Sequence, residues 1–309
     1  MTVTVGIDGG QSEIRMRVSG ESRDEAAPGV SHLESDTATS VVEAIRRLRG
    51  NRSTPIDRLV AGLTTIPATE EERHDLAVRL AEATGAADVW VCGDQVTSHA
   101  GAFEGETGVV LSVGTGVACL ALDGATGANR TFDGAGYLVG DEGGGFWLGR
   151  LGIRAALAAY EGRAPHTTLT SSVADELGPL DAAAARLHAN PRAVDSIAQM
   201  ATIVLAEAEE GDAIANTIVS DSATLLVTTV SAALFFLPSG EDTRVAIDGR
   251  LLLNENQLQT AFLAEMKSTH PSVDVFQAHR SSLDGACMLA QHETPGAYSD
   301  LITTYRMEL

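Results

Sequence analysis

The sequence VGIDGGQSEIRMRV, residues 5–18, places two adjacent glycines between two stretches rich in β-branched and apolar residues. Alternation of this kind is typical of strands, so the segment predicts paired strands over 2–7 and 13–19 that are joined by a glycine turn. A simple β-hairpin explains such a turn. A cradle for a phosphate group also explains it, because glycine lets backbone N–H groups approach an anion closely. The stretch by itself leaves both explanations open.

The same arrangement returns about a hundred residues later in GVVLSVGTGVACLAL (108–122), where Gly114-Thr115-Gly116 separates two apolar stretches. Repetition on this scale predicts two similar domains that each offer a glycine turn to a shared cleft. Helical and strand-like periods alternate between the two turns, which favours an α/β fold. We predict helices over 37–49, 70–85 and 255–267, strands over 57–63, 87–94 and 272–276, and an Ala-rich helical region over 150–237.

The charge of the chain excludes some partners. It has 42 acidic and 21 basic residues among 309, a formal net charge of −21. Such a surface repels phosphate backbones and anionic lipids, so we expect neither a nucleic acid nor a membrane as partner. Lys267 is the only lysine, and no GxxxxGK[ST] motif is present. A bound nucleotide would therefore be held by backbone amides and a metal ion.

The cysteines and the apolar segments indicate the compartment. Cys92, Cys119 and Cys287 lie far apart, with no CxxC pair, as expected of buried thiols in a reducing environment. The beginning of the chain has the pattern of a strand rather than of a secretion signal. The apolar stretch 225–240 is interrupted by Thr and Ser and reaches Pro238, so we expect no membrane span. The expected location is cytoplasmic.

The glycine turns and the stretch GYLVGDEGGGFWLGR (136–150) together resemble the N-acetylglucosamine kinase and BadF/BadG/BcrA/BcrD-type ATPase family of the sugar kinase, Hsp70 and actin superfamily. The resemblance covers nearly the whole chain in order. It implies an α/β fold of two actin-like (ribonuclease H-like) domains, with mixed sheets around a central ATP and sugar cleft. The implied N-terminal domain is 1–107, joined by a C-terminal helix over 293–309, and the implied C-terminal domain is 108–292.

The resemblance also implies roles for individual residues. Asp8 would hold the Mg²⁺ of ATP through water, and Asp94 would be the catalytic base that takes the proton of a sugar hydroxyl. Without the resemblance, Asp8 reads as a turn residue and Asp94 as a helix N-cap. The implied ATP-binding residues are Gly9, Gly10, Gln11, Ser12, Gly114, Thr115, Gly116 and Gly249. The implied sugar-binding residues are Ser31, His32, Gly136, Asp141 and Glu142; a solvated acidic turn is the alternative for the last two.

Several positions depart from the family pattern. Gln11 and Glu13 stand where a glycine and a base are usual, and Ala135 stands where a tryptophan is usual. The phosphate-binding pattern is therefore better preserved than the sugar-binding pattern. We expect an ATP-dependent kinase of an amino sugar or related hexose, N-acetylglucosamine or glucosamine first, acting at the 6-hydroxyl, with a possible homodimer. The alternatives are a BadF-type ATPase that drives a partner enzyme and a catalytically weak sugar-binding relative.

Overall fold

The computed structural model describes residues 2–10, 13–21, 23–30, 36–50, 52, 54–238 and 243–307. The strands are β1 (Thr4–Gly9), β2 (Glu13–Val18), β3 (Glu25–Pro28), β4 (Ile56–Leu63), β5 (Ala86–Gly93), β6 (Gly108–Val113), β7 (Val117–Leu122), β8 (Asn129–Asp133), β9 (Arg244–Asp248), β10 (Asp274–Gln277) and β11 (Thr303–Arg306). The helices are α1 (Thr37–Arg49), α2 (Glu70–Thr84), α3 (Asp94–Phe103), α4 (Gly145–Tyr160), α5 (Leu169–Leu177), α6 (Ala183–Ala189), α7 (Ala193–Glu209), α8 (Ala213–Phe236), α9 (Arg250–Leu253), α10 (Gln257–Thr269) and α11 (Ser282–Leu289).

The chain forms two compact units that each combine separate stretches of sequence. Unit 1 comprises residues 1–110, 122–129 and 278–309, and unit 2 comprises 111–121 and 130–277. This division differs at two places from the domain boundaries that the family resemblance implied. The turn 122–129 is tied to unit 1 because Thr107 Oγ1 donates to Asp123 Oδ1 at 3.2 Å. The segment 278–292 belongs to unit 1 because α11 packs against α3 and β1. The shared cleft stays a prediction.

The strands of unit 1 form a mixed sheet in the order β11-β5-β4-β1-β2-β3. Strands β1, β4 and β5 are parallel neighbours, and β2, β3 and β11 are added antiparallel. The apolar sequences of the parallel strands are typical of a sheet that is covered on both faces. Ile7, Leu59 and Val89 are fully buried there, together with Ile45 of α1 and Leu76 of α2. The register of these three strands sets the positions of the residues that follow them.

Local capping signals mark the beginnings of helices α1 and α2 in unit 1. Thr69 and Glu72 form a capping box at the start of α2, and Gly85 ends the helix in the left-handed conformation. The Asp36 side chain accepts a hydrogen bond from Thr39 N at the start of α1. Helix α3 is joined to α11 by a buried hydrogen bond of 2.7 Å between the Thr97 and Ser282 hydroxyls.

Residues 293–309 are not the helix that the resemblance implied. This segment contains a 3-10 turn, Gly296–Tyr298, and then β11, which pairs antiparallel with β5. The β-branched and aromatic sequence TTYR suits a strand, and the edge of β5 supplies the hydrogen-bonding partner. Asp88 of β5 accepts a hydrogen bond from Arg306 at 3.1 Å, which fixes the register of the added strand.

The strands of the second sheet lie in the order β10-β9-β6-β7-β8. The helices of unit 2 pack on one another, above all α4 on α7 and α8 on α10. Of the described residues, only α8 forms a helix long and apolar enough to cross a membrane. It is longer than the apolar stretch 225–240 described above. Of its most apolar 18-residue segment, 44% is buried inside the protein. Its exposed positions include Ser220, Asp221, Thr224 and Thr228, as expected of a helix in the core of a folded unit.

Candidate functional site

The parallel strands of unit 1 end at the same edge of the sheet. Gly9 pairs with Leu63, and Leu63 pairs with Gly93, so β1, β4 and β5 end side by side. Thr64 N donates to Gly9 O at 2.9 Å and extends this alignment by one residue. The carboxyl ends of parallel strands are where ligands bind in open α/β sheets. Asp94 follows β5 at this edge.

Asp94 is the first residue of α3, and Gly93 holds the N-cap position. The reading of Asp94 as the N-cap is therefore wrong. The Thr64 hydroxyl donates a hydrogen bond of 2.5 Å to Asp94 Oδ2, and the Asp94 side chain is half-buried. It lies in the first turn of α3, near the helix N-terminus. The result is an oriented carboxylate that can accept a proton from a ligand.

Asp8 lies opposite Arg15 in the β1–β2 pairing. Arg15 Nη2 lies 2.5 Å from Asp8 Oδ2, and Arg15 Nε donates to the same oxygen at 3.2 Å. Among the described residues, Asp8 Oδ1 has no hydrogen-bond partner. One available carboxylate oxygen fits a hydrated Mg²⁺ that is carried by substrate phosphates, because Mg²⁺ keeps several of its waters. The part of the chain that the structure describes holds no cluster of three or more His, Cys, Asp or Glu side chains that would bind a metal alone.

The first glycine turn is only partly available to a ligand. Gly10 N donates to Glu13 O at 2.9 Å, so this amide closes its own turn. The Gly10 amide therefore has an acceptor within the turn, and the implied roles of Gly9 and Gly10 in ATP binding stay predictions. Gln11, Ser12, Ser31 and His32 lie outside the described residues, and their roles stay predictions.

The second glycine turn, Gly114–Gly116, is attached to the beginning of α4. Gly145 N donates to Gly114 O and Phe146 N donates to Thr115 O, each at 2.9 Å. These bonds satisfy two helix N–H groups that have no acceptor within the helix. The N–H groups of Thr115 and Gly116 have no acceptor among the described residues. The Gly114 and Thr115 carbonyls therefore bind the start of α4, and the Thr115 and Gly116 N–H groups can bind an anion.

Gly249 lies against the end of β6, beside this turn. It follows β9 with φ of 86°, and a Cβ at this position would lie 2.3 Å from Val113 O. A side chain is therefore excluded by both conformation and space. The structure thus brings Gly249 close to the Gly114–Gly116 turn within unit 2, as expected if both contact one nucleotide.

Asp141 is half-buried and adopts a left-handed backbone conformation with φ of 59°. Val117 N donates to Asp141 Oδ1 at 3.3 Å, and a Cβ on Gly116 would lie 2.4 Å from Asp141 Oδ2. Burial raises the pKa of Asp141 above its ordinary value, and the negative charge of Asp133 adds to this rise. Asp141 is therefore more than a solvated acidic turn, whereas Glu142 is exposed.

Gly136 and the aromatic residues support the loop that leads to Asp141. Gly136 O accepts hydrogen bonds from Val139 N at 3.1 Å and Gly140 N at 2.9 Å. The Tyr137 ring contacts the Phe146 ring, with centroids 4.8 Å apart. Phe146 and Trp147 are 8% and 9% exposed, so they are core residues of α4, as the sequence indicates.

Three residues of these surroundings were not identified from the sequence: Thr64, Arg15 and Asp133. The hairpin register carries a signal for Arg15, because period-two pairing places it opposite Asp8. The position of Thr64 directly after a buried strand is a weaker signal. Cys92 and Cys119 are buried, as predicted, whereas Cys287 is half-buried. Burial raises the pKa of the Cys92 and Cys119 thiols far above the ordinary value, and that of Cys287 to about 11.

The chain is similar to known proteins over nearly its whole length. The chain is 24% identical to the N-acetylmuramic acid/N-acetylglucosamine kinase of Clostridium acetobutylicum, over 95% of this chain and 99% of that kinase. It is similar to the crystal structure of a candidate N-acetylglucosamine kinase from Chromobacterium violaceum, with 22% identity, a TM-score of 0.71, and coverage of 94% of this chain and 99% of that one. A candidate N-acetylglucosamine kinase from Porphyromonas gingivalis has 16% identity and a TM-score of 0.74, over 95% of this chain and 100% of that one.

These likenesses confirm the predicted fold class, which is the actin-like fold of sugar kinases. A model of the BadF/BadG/BcrA/BcrD ATPase family matches residues 5–287. That range contains the glycine turns, the residues that follow the parallel strands and the Asp141 loop. The chain therefore belongs to the BadF/BadG/BcrA/BcrD ATPase family.

Proposed function

We propose that this protein is an ATP-dependent kinase of an amino sugar or related hexose, with N-acetylglucosamine or glucosamine as the first candidate. The observation that carries the proposal is the Asp94 carboxylate, which Thr64 orients at the carboxyl edge of the parallel strands. The family relation supports ATP as the phosphate donor. The relatives that are named as kinases of N-acetylated amino sugars support the substrate class.

In the proposed reaction, Asp94 accepts the proton of the sugar 6-hydroxyl while the hydroxyl oxygen forms a bond to the γ-phosphorus. The bond between the γ-phosphorus and the β,γ-bridging oxygen breaks, and ADP leaves. A hydroxyl pKa lies far above 7, so a positioned carboxylate contributes by taking the proton as the new bond forms. Most of the rate acceleration comes from positioning and from neutralising the phosphate charge.

The remaining residues bind and orient the substrates. The Thr115 and Gly116 amides are proposed to donate hydrogen bonds to a phosphate, with Gly249 against the adenosine. Asp8 Oδ1 would accept a hydrogen bond from a water of Mg²⁺, an ion that neutralises phosphate charge when bound. Asp141 would accept hydrogen bonds from sugar hydroxyls, because carboxylates make strong charge-assisted bonds to such donors.

The test is to incubate the protein with Mg-ATP and a panel of hexoses and amino sugars, and to follow ADP release and sugar phosphate together. We expect a sugar-stimulated turnover that the Asp94→Asn variant reduces by about 10²- to 10⁴-fold, the range for loss of a general base. Asp221→Asn makes the same replacement of a carboxylate by a carboxamide at an exposed position of α8. This matched control should retain full activity.

Two other outcomes would contradict the proposal. Hydrolysis of ATP that no sugar stimulates would favour an ATPase that drives a partner enzyme. Tight sugar binding with no transfer of phosphate would favour a catalytically weak sugar-binding relative. Isothermal titration with each sugar separates the second outcome from a simple failure to bind.

A further inference from the structure

Asp133, the last residue of β8, accepts two backbone hydrogen bonds from the Asp141 loop. Asp141 N donates to Asp133 Oδ1 at 2.7 Å, and Glu142 N donates to Asp133 Oδ2 at 3.2 Å. A single carboxylate thus binds two successive N–H groups. Hydrogen bonds to an ionised acceptor are about twice as strong as neutral ones, so this contact closes the base of the loop.

Both ends of the loop have a left-handed backbone conformation. Asp133 has φ of 57° and Asp141 has φ of 59°, values that L side chains rarely adopt. Non-glycine residues hold such conformations where surrounding contacts stabilise them. Between them, Leu138 and Val139 are 80% and 81% exposed, so the tip of the loop gains little from packing. The carboxylate of Asp133 joins the two ends of the loop directly.

The same bonds determine where the Asp141 side chain lies. With its backbone fixed by Asp133, the Asp141 carboxylate lies against Gly116 and accepts the hydrogen bond from Val117 N. A loop released from Asp133 would lose this alignment, because the Asp141–Val117 bond of 3.3 Å is long and weak by itself.

We propose that Asp133 is a positioning residue for the sugar site, which fixes the Asp141 loop so that the Asp141 carboxylate is presented to sugar hydroxyls. This inference rests on the proposed function for the identity of the ligand. The fixation of the loop is a property of the protein by itself and is measurable without substrate.

Asp133 also acts on Asp141 through its charge. Burial is the larger cause of the raised pKa of Asp141, and the Asp133 carboxylate is the charged group that adds to it. Removing the charge of Asp133 therefore lowers the pKa of Asp141. A shift of this titration therefore reports that the two carboxylates lie close together, whereas amide exchange reports the fixation of the loop.

The test compares wild type with Asp133→Asn and Asp133→Gly. Asparagine keeps one acceptor but turns an NH₂ group towards a second N–H donor, and glycine removes both acceptors while suiting the left-handed backbone. Asp221→Asn is the charge-matched control in the same unit. Thermal unfolding of each variant checks that it is folded.

We expect faster amide hydrogen exchange over 134–145 in Asp133→Gly and a lower Asp141 pKa, by ¹³C carboxyl titration, in both Asp133 variants. The sugar kcat/KM should fall roughly tenfold for Asp133→Asn and about a hundredfold for Asp133→Gly, the range for hydrogen bonds to a charged acceptor. The KM for sugar should rise more than the KM for ATP.

Exchange and Asp141 titration that are the same in Asp133→Gly and wild type would overturn the proposal. Faster exchange with an unchanged sugar kcat/KM would also overturn it, because the loop would then be fixed without consequence for the ligand. If wild type transfers no phosphate to any sugar, the proposed function fails. Amide exchange then still decides whether Asp133 fixes the Asp141 loop.

Discussion

At the scale of single residues, each proposed ligand-binding carboxylate depends on a polar contact made at or near the end of a strand. Thr64 orients Asp94, Arg15 pairs with Asp8, and Asp133 binds the backbone of Asp141. Thr64 and Arg15 each bind one oxygen of the carboxylate beside them, and Asp133 holds the backbone of Asp141. The proposed ligand-binding group is thereby oriented and still has acceptor capacity.

Thr64 gives a prediction at this scale. Thr64→Val removes the donor to Asp94 Oδ2 with little change of shape, and we expect kcat to fall roughly tenfold, as for loss of a hydrogen bond to a charged group. Thr64→Ser keeps the hydroxyl and should restore most of the activity. Steady-state kinetics at saturating ATP and sugar measure both. Equal kcat values for the Val and Ser variants would show that the hydroxyl has no role.

At the scale of elements, a buried ion cluster joins β4, β5 and β11. Asp88 of β5 lies 2.8 Å from Arg58 Nη2 and 3.1 Å from Arg306 Nη2, and it accepts a hydrogen bond of 3.0 Å from Trp90 Nε1. The Asp88 side chain is 8% exposed, whereas that of Arg306 is 74% exposed. The two arginines therefore contribute unequally to stability.

We predict that Asp88→Asn lowers the free energy of unfolding by about 3 kcal/mol, because Arg58 is left buried without its counter-charge. The matched variant Arg306→Gln should cost less than about 1 kcal/mol, since its charge is exposed to solvent. Urea denaturation followed by circular dichroism measures both. A larger loss for Arg306→Gln than for Asp88→Asn would contradict this account of the cluster.

Prediction from sequence succeeded where the signal is local and failed where it is distant. The glycine turns, the helix over 37–49 and the strand that precedes Asp94 follow from alternation, periodicity and caps along the chain. The contact of Asp133 with Asp141 depends on the path of the loop that joins them, and no pattern in a short stretch of sequence indicates that path. The C-terminal helix that the resemblance implied for 293–309 is wrong, and local signals give little hint of β11, because TTYR is four residues long and its partner, β5, lies more than two hundred residues earlier.

At the scale of the whole molecule, one buried histidine links stability to pH. His99 of α3 is fully buried between Tyr298 Oη, 2.9 Å from Nδ1, and Gly108 O, 3.3 Å from Nε2. Burial lowers the pKa of His99 to about 4, so the folded protein holds the neutral imidazole. The unfolded chain takes up a proton near pH 6.5, its ordinary pKa.

Because the pKa of His99 is lower in the folded protein than in the unfolded chain, His99 makes the folded protein less stable at low pH. The contribution of neutral His99 is complete above about pH 6.5 and is lost as the pH falls towards 4, by roughly 3 kcal/mol in total. We expect the unfolding free energy of a His99→Gln variant to fall less steeply over this interval, even if the variant is less stable at pH 7. Urea titrations at pH 7, 5.5 and 4.5 compare the slopes. Parallel slopes would rule His99 out as the cause.

The division of unit 1 among distant stretches of the chain has a consequence for synthesis on the ribosome. Strand β5, with the apolar sequence AADVWVCG, presents an open hydrogen-bonding edge until β11 pairs with it. Synthesis runs from the N-terminus, and the chain of unit 2 separates the two strands. Every nascent chain therefore carries an unpaired, aggregation-prone edge through most of its elongation, and shielding that edge is the task that a chaperone would perform for this protein.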